Sequence, residues 1–400
     1  MKRMRIVTVI TALAVICIYA AVTFFFQRED EGERTLKVGF VYEGDESAPY
    51  TYNFIRAQKK IEDSDFGGRV TTVVKVNIPE TKSEQAIREL VEEGCNLIIT
   101  NSYGYEETAK RLAKEFPEIQ FCQATGDNAN EDPLSNYHTF MGEIYQGRYV
   151  TGIVAGMKLK EMIDEGVIGA DEAKLGFVGA YPYAEVISGY TAFFLGARSI
   201  VPTATMEVMY TNTWTSYILE KNCAEALIED GCVIIAQHSD TIGPAVACEN
   251  AAEQGKMVYH IGYNQSMIDI APTTSLVSTR IDWSAYILSA VKAVLNDEPI
   301  EKGIKGNVHG NDVGAGFEQD WIQILDINGL SVAEGTEKAV EETIEGLKKG
   351  QIQVFQGDYV GVNPFDSNDV IDLNEGYEEN KAASAPAFHY ILKDVIQIKE

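Results

Sequence analysis

Leu36-Lys37-Val38-Gly39-Phe40-Val41-Tyr42 is an apolar run with β-branched and aromatic content, and a run of that kind reads as a buried strand. It passes through an acidic turn, Glu43 to Glu46, into Ser47-Ala48-Pro49-Tyr50-Thr51-Tyr52-Asn53 and a segment where Phe54, Ala57 and Ile61 recur at helical spacing. Strand, loop and helix in that order form the first unit of an α/β sheet. Ligands of such sheets sit beyond the carboxyl ends of the strands, so the loop 43–53 is the first wall of any cleft. It offers the rings of Tyr50 and Tyr52 and small polar groups including Thr51, and it has no glycine-rich phosphate cradle.

Working outward, the same rhythm repeats. Ser83–Glu93 places Ala86, Ile87, Leu90 and Val91 on one helical face, Asn96–Thr100 reads as a buried strand, and further helix and strand patterns run to Ala124. Strands separated by helices of about a dozen residues imply right-handed crossovers and a parallel sheet. A loop rich in Asn, Asp and Pro, 126–135, interrupts the series. A long helix from Ile144 follows, with Gly147, Gly152, Ala155 and Gly156 small enough for close packing, and a second βα series runs to Ile261. Two series of similar size predict two Rossmann-like lobes around a cleft. The expected organisation is an N-terminal segment 1–28, a tether 29–35, a first lobe 36–141 with a return segment at about 265–305, a second lobe 142–264 with a return at about 306–360, and a tail 361–400 packed on the lobes. Repeated crossings between lobes make a hinge suited to closing on a ligand.

At 400 residues the chain is long for one core, and its formal charge is −27. Phosphate binding draws on clustered Lys and Arg, so nucleic acid is excluded as a partner. The only charges in the first 26 residues are Lys2, Arg3 and Arg5, and Ile6 to Phe26 is uncharged. Such a stretch is about 31 Å long as a helix, enough for a hydrocarbon core. It reads as an uncleaved membrane anchor, a cleaved export signal with Ala20-Ala21 near the cut, or a lipoprotein signal at Cys17. Each reading leaves the acidic bulk outside the cell membrane. The six cysteines show no metal-binding spacing and are expected to be reduced and buried for the most part, with a Cys223–Cys232 pair left open.

Several motifs in order carry a resemblance: Asn96-Leu97-Ile98-Ile99-Thr100-Asn101-Ser102-Tyr103-Gly104-Tyr105, Phe116-Pro117-Glu118-Ile119-Gln120-Phe121, Ile144-Tyr145-Gln146-Gly147-Arg148-Tyr149, Asn212-Thr213-Trp214, Gln237-His238-Ser239-Asp240 and Ile261-Gly262-Tyr263. Over about residues 36 to 300 the chain resembles the basic membrane lipoprotein family, the substrate-binding proteins of ABC transporters. The resemblance implies a type I periplasmic-binding-protein fold, an ABC permease as partner, and a purine base or nucleoside held between aromatic rings. Three departures from the nucleoside-binding branch are visible. Asn264 stands where that branch is acidic, Thr279-Arg280-Ile281 stands where it carries a lysine, and Tyr50 replaces its stacking Phe or Trp. Loss of those charged ribose contacts favours a base over a nucleoside.

Read from chemistry alone, the same residues agree. A flat heterocycle needs flat partners, and Tyr50, Tyr103, Trp214 and Trp283 all follow expected strands. Asn101, His238, Ser239, Asp240 and Asn264 supply directional hydrogen bonds, as Thr51 does in the first loop. Adjacency of Ser239 to His238 and Asp240 does not make a triad, so no catalytic residue is expected, and neither a metal nor a cofactor. The expected function is capture of a purine-like molecule by an extracytoplasmic, membrane-tethered binding protein of an ABC importer. A ligand-sensing ectodomain and a nucleoside hydrolase are the alternatives.

Overall fold

The computed structural model describes residues 34–64 and 66–399, so the apolar N-terminal stretch and its three readings lie outside the described residues. β1 (Leu36–Val41) is buried along both faces, as a parallel strand covered by helices on each side must be. Pro49 opens α1 (Pro49–Asp63), where its fixed φ suits the first turn and its missing N–H costs nothing. The helix buries Phe54, Ala57 and Ile61 in the same core as Val38 and Phe40.

The alternation continues through β2 (Val70–Lys75), α2 (Ser83–Glu92), β3 (Leu97–Thr100), α3 (Glu106–Glu115), β4 (Gln120–Ala124) and β5 (Tyr137–Gly142). After α4 (Ile144–Asp164) the second series comprises β6 (Lys174–Gly179), α5 (Ala184–Ile200), β7 (Thr205–Tyr210), α6 (Tyr217–Glu229), β8 (Ile234–His238), α7 (Gly243–Glu253) and β9 (Tyr259–Tyr263). Then come β10 (Ser275–Ile281), α8 (Ser284–Leu295), the short α9 (Ile300–Gly303), β11 (Asn307–His309), β12 (Asp312–Ala315), β13 (Ile322–Leu325) and α10 (Thr336–Lys348). The end of the chain holds β14 (Val360–Asn363), β15 (Asp366–Asp372), β16 (Ile391–Leu392) and β17 (Ile396–Lys399).

Two seven-stranded sheets result, ordered β11-β12-β5-β4-β3-β1-β2 and β13-β10-β9-β8-β6-β7-β17, with a small third sheet β15-β14-β16. Within the two large sheets every pair is parallel except β11 with β12 and β10 with β13. α4 and α5 pack at very close range. A Cβ on Gly152 would sit 2.0 Å from the Phe193 carbonyl oxygen, and one on Gly196 would sit 2.2 Å from that of Tyr149. Only glycine fits at either place.

The return segments differ from expectation. Ser275–Ile281 stays in the second sheet beside β9, and the chain crosses back only afterwards, when α8 packs on α1. Asn307–Ala315, placed in the second lobe by the sequence reading, adds β11 and β12 to the first sheet. β10 is buried on both faces and lies between β9 and β13, while β12 finds its partner in β5 across the molecule, so the assignment is set by which sheet each strand meets. The acidic stretch after Tyr359, most of it in the expected tail 361–400, forms the β14–β15 hairpin, and β17 closes onto β7. Cys95, Cys122, Cys223, Cys232 and Cys248 are unpaired thiols. No helix among the described residues is long and apolar enough to cross a membrane.

Candidate ligand-binding site

The carboxyl ends of the parallel strands face each other across a cavity with about 450 Å³ of empty space, part of it open to solvent. From the first sheet come Glu43 and Tyr50 after β1, Asn101, Ser102 and Tyr103 after β3, and Thr125 after β4. From the second come Glu185 at the start of α5, Trp214 after β7, His238 ending β8, Asp240 just beyond it, and Tyr263 ending β9. The position of each follows from the rule that parallel strands deliver their C-terminal residues to one side.

The first wall is internally bonded. The Tyr50 hydroxyl donates to the Asn101 carbonyl at 2.6 Å, and Asn101 Oδ1 accepts the Glu43 N–H at 2.9 Å. Ser102 Oγ donates to Glu80 at 2.7 Å. Behind Tyr50 lies a stack of core rings: Phe54 at 5.2 Å and Trp283 at 6.1 Å between centroids.

The second wall leaves more unpaired. His238 Nε2 lies 3.2 Å from Glu185 Oε1, while its Nδ1 has no partner among the described residues. The Asp240 N–H donates to the Trp214 carbonyl at 3.0 Å. The His238 and Tyr263 rings meet edge to face at 4.8 Å. Arg148, from the first turns of α4, lies over the Tyr263 ring with Cζ 3.7 Å from its centroid. It is 1 % exposed and donates from Nη1 to the Gln237 carbonyl at 2.7 Å, while Nε and Nη2 are unpartnered.

Burial drives the electrostatics. It pushes the Asp240 carboxyl well up, helped by Glu220, Glu43 and Glu185 and opposed by Arg148. It raises Glu43 as well, with Glu80 adding to the effect. His238 is pushed down by burial and by the Arg148 charge, against the pull of Glu185. The Arg148 guanidinium falls only to about 10 and stays cationic at neutral pH.

Six residues singled out from sequence line this cavity: Tyr50, Asn101, Tyr103, Trp214, His238 and Asp240. Four do not. Thr51 is 1 % exposed and sits beneath Asn101, 3.5 Å from its Nδ2. Ser239 turns inward and donates to Glu220 at 2.8 Å. Asn264 adopts a left-handed turn at φ 67°, and its carbonyl accepts from Asn53 at 2.8 Å. Trp283 is 1 % exposed and stacks on Phe54 at 4.5 Å, so it is core. Sequence reasoning left Glu43, Ser102, Thr125, Glu185 and Tyr263 out of the site, although each follows a strand closely, the same signal that located the others. It also passed over Tyr181 and Tyr183, which ring the mouth: Tyr181 is 5.3 Å from Trp214, and Tyr183 is 6.1 Å from Tyr103 across the cleft.

Chemically the site offers ring faces and hydrogen-bond acceptors. Ser239 Oγ is engaged with Glu220 and His238 faces Glu185, so serine and histidine do not form a nucleophile–base pair. Among the described residues no group of three or more His, Cys, Asp or Glu is placed to hold a metal.

The family model described as "ABC transporter substrate-binding protein PnrA-like" matches residues 36–350. A purine-binding protein of Brucella abortus is 30 % identical over 327 residues, 81 % of this chain and 84 % of that one. A protein of Haloferax volcanii, named as a candidate glucose-binding protein of an ABC transporter, is 28 % identical over 280 residues, 70 % of this chain and 64 % of that one. Among solved structures, a solute-binding protein of an ABC transporter from Aeropyrum pernix superposes with a TM-score of 0.64 at 16 % identity, covering 83 % of this chain and 95 % of its own. The likeness supports the type I periplasmic-binding-protein fold. The chain belongs to the Bmp family of PnrA-like substrate-binding proteins of ABC transporters.

Proposed function

We propose that this protein captures a purine base, or less favourably a nucleoside, in the cavity between its two sheets and passes it unchanged to an ABC permease. The observation that carries the reading is the pairing of walls: Tyr50 from the first sheet and Trp214 and Tyr263 from the second line one cavity, with Asn101, His238 and Asp240 among them. Rings on both sides suit a flat guest, since base–aromatic stacking is worth about 1–3 kcal/mol per base. The purine-binding relative from Brucella supports the same ligand class.

The two halves close on the guest by bending where the chain passes between sheets, after β5, β10 and β12, with no covalent chemistry. The protein works outside the cell membrane, held there by its N-terminal segment. The loss of charged ribose contacts implied by the resemblance at Asn264 and at Thr279-Arg280-Ile281 favours the base over the nucleoside.

A thermal-shift and calorimetric screen of purines, pyrimidines, nucleosides and glucose tests this. A purine at a hundredfold excess over its dissociation constant should add about 2.7 kcal/mol of stability. A response to glucose alone would overturn the reading in favour of a sugar carrier. Free base released from inosine would overturn it in favour of a hydrolase.

A further inference from the structure

Resting on the proposed capture of a purine, we propose that the cavity selects purines by charge and hydrogen-bond polarity. It takes rings that present N–H donors, such as the amino-substituted adenine and guanine, and rejects anions, with Asp240 as the principal acceptor and Glu43 and Glu185 as the acidic surround. The lining carries three carboxylates and neither lysine nor arginine. The Arg148 guanidinium lies over Tyr263 and is not part of the lining. His238 is engaged at Nε2 by Glu185.

Two buried carboxylates in the same neighbourhood show what is unusual about Asp240. Glu220 is fully buried and saturated: it accepts from Ser239 Oγ at 2.8 Å, from the Thr241 N–H at 2.9 Å and hydroxyl at 2.8 Å, and from the Ser216 N–H at 3.0 Å. Asp240 is 9 % exposed and lines the cavity, yet its carboxylate accepts no hydrogen bond from any described residue. The fold supplies donors to Glu220 from the residues on either side of Asp240, whereas the Asp240 oxygens open on the cavity and are not among the buried atoms left without a partner. The donors that Asp240 lacks are those a ligand would bring.

An amino group beside a ring N–H meets a carboxylate in a short, charge-assisted contact, roughly twice as strong as a neutral one. A purine that is an anion at neutral pH, such as urate, has the same bicyclic frame but would place its charge among three carboxylates of poor solvation. Shape alone does not separate these two guests; the sign of the wall does.

Calorimetry on the full chain in detergent, with adenine, guanine and urate, tests the inference. Adenine and guanine should bind at least about a hundredfold more tightly than urate. Asp240→Asn should weaken adenine binding roughly tenfold or more, the range expected when a hydrogen bond loses its charged partner. The same substitution should narrow the adenine-to-urate ratio, which damage to the fold would not do. Glu43→Gln, at the partly exposed edge of the cavity, should narrow that ratio to a smaller degree. If urate binds as tightly as adenine, or both variants leave the ratio unchanged, the charge selection is wrong while the capture of purines stands. If no purine of either charge binds, both fail together.

Discussion

The two walls of the cavity come from sheets of like topology, yet they spend their polar groups differently. On the first wall the Tyr50 hydroxyl, Asn101 Oδ1 and Ser102 Oγ all have partners inside the protein. On the second, His238 Nδ1 has no partner among the described residues, the Asp240 carboxylate faces the cavity, and behind the lining two Arg148 nitrogens are also unpartnered. A wall whose bonds are already made is a rigid platform, because moving any member breaks a contact. A wall with unmade bonds holds unsatisfied groups that a guest can relieve. The difference suggests that the first sheet supplies a surface to lie on and the second reads the guest's edge.

The comparison can be broken most forcefully behind the platform. Trp283→Ala empties a site packed between Phe54 and Phe140, and replacement of a buried Trp by Ala costs about 3–5 kcal/mol. Denaturant titration should show that loss. A stable variant with collapsed affinity would instead put Trp283 against the ligand. Next come the facing rings. Tyr50→Ala and Trp214→Ala should each weaken purine binding by about 1–3 kcal/mol, measured by calorimetry. A loss confined to Trp214 would make the stacking one-sided and the first wall a bystander.

Ligand-free stability separates the walls in another way. A carboxyl raised by folding contributes stability below its unfolded value, near 3.8 for Asp240, and loses it as pH rises through the folded value. Burial, then Glu220, Glu43 and Glu185, raise Asp240, against Arg148. Asp240→Asn should therefore raise the melting temperature of the empty protein at pH 8, and acidification should erase the gain. No gain at pH 8 would mean that this wall is satisfied after all. The smallest effect belongs to Tyr50→Phe. It removes the bond to the Asn101 carbonyl, at about 0.5–1.5 kcal/mol of stability, and should leave affinity unchanged. A tenfold loss of affinity would show that the hydroxyl points at the ligand.

Much of this architecture was legible in the chain because periodicity reports burial directly. β1 and α1 follow from the spacing of Val38, Phe40, Phe54 and Ala57, and the small residues of α4 announced its close partner. The site was legible as far as position after a strand decides it, which brought Tyr50, Asn101, Tyr103, Trp214, His238 and Asp240 to one cavity. Rotation about the chain was not legible. Ser239 and Asp240 are neighbours, yet one turns in toward Glu220 and the other lines the cavity. Trp283 opens a helix where a cleft ring belongs, but Phe54 and Phe140 enclose it. Asn264 was displaced by a left-handed turn that its side chain type permits without announcing. The placement of β10 and β12 depends on which sheet edge is nearer, a long-range fact that local patterning does not hold.

The contact between Tyr103 and Tyr183, both substantially exposed at the mouth, has a kinetic meaning. A ring pair of this kind is worth about 0.5–1.5 kcal/mol beyond its buried area, which is at most about a tenfold bias in population. Under the proposed closure, so light a latch would let the entrance swing many times for each visit, and arrival would then be governed by encounter and not by unlocking.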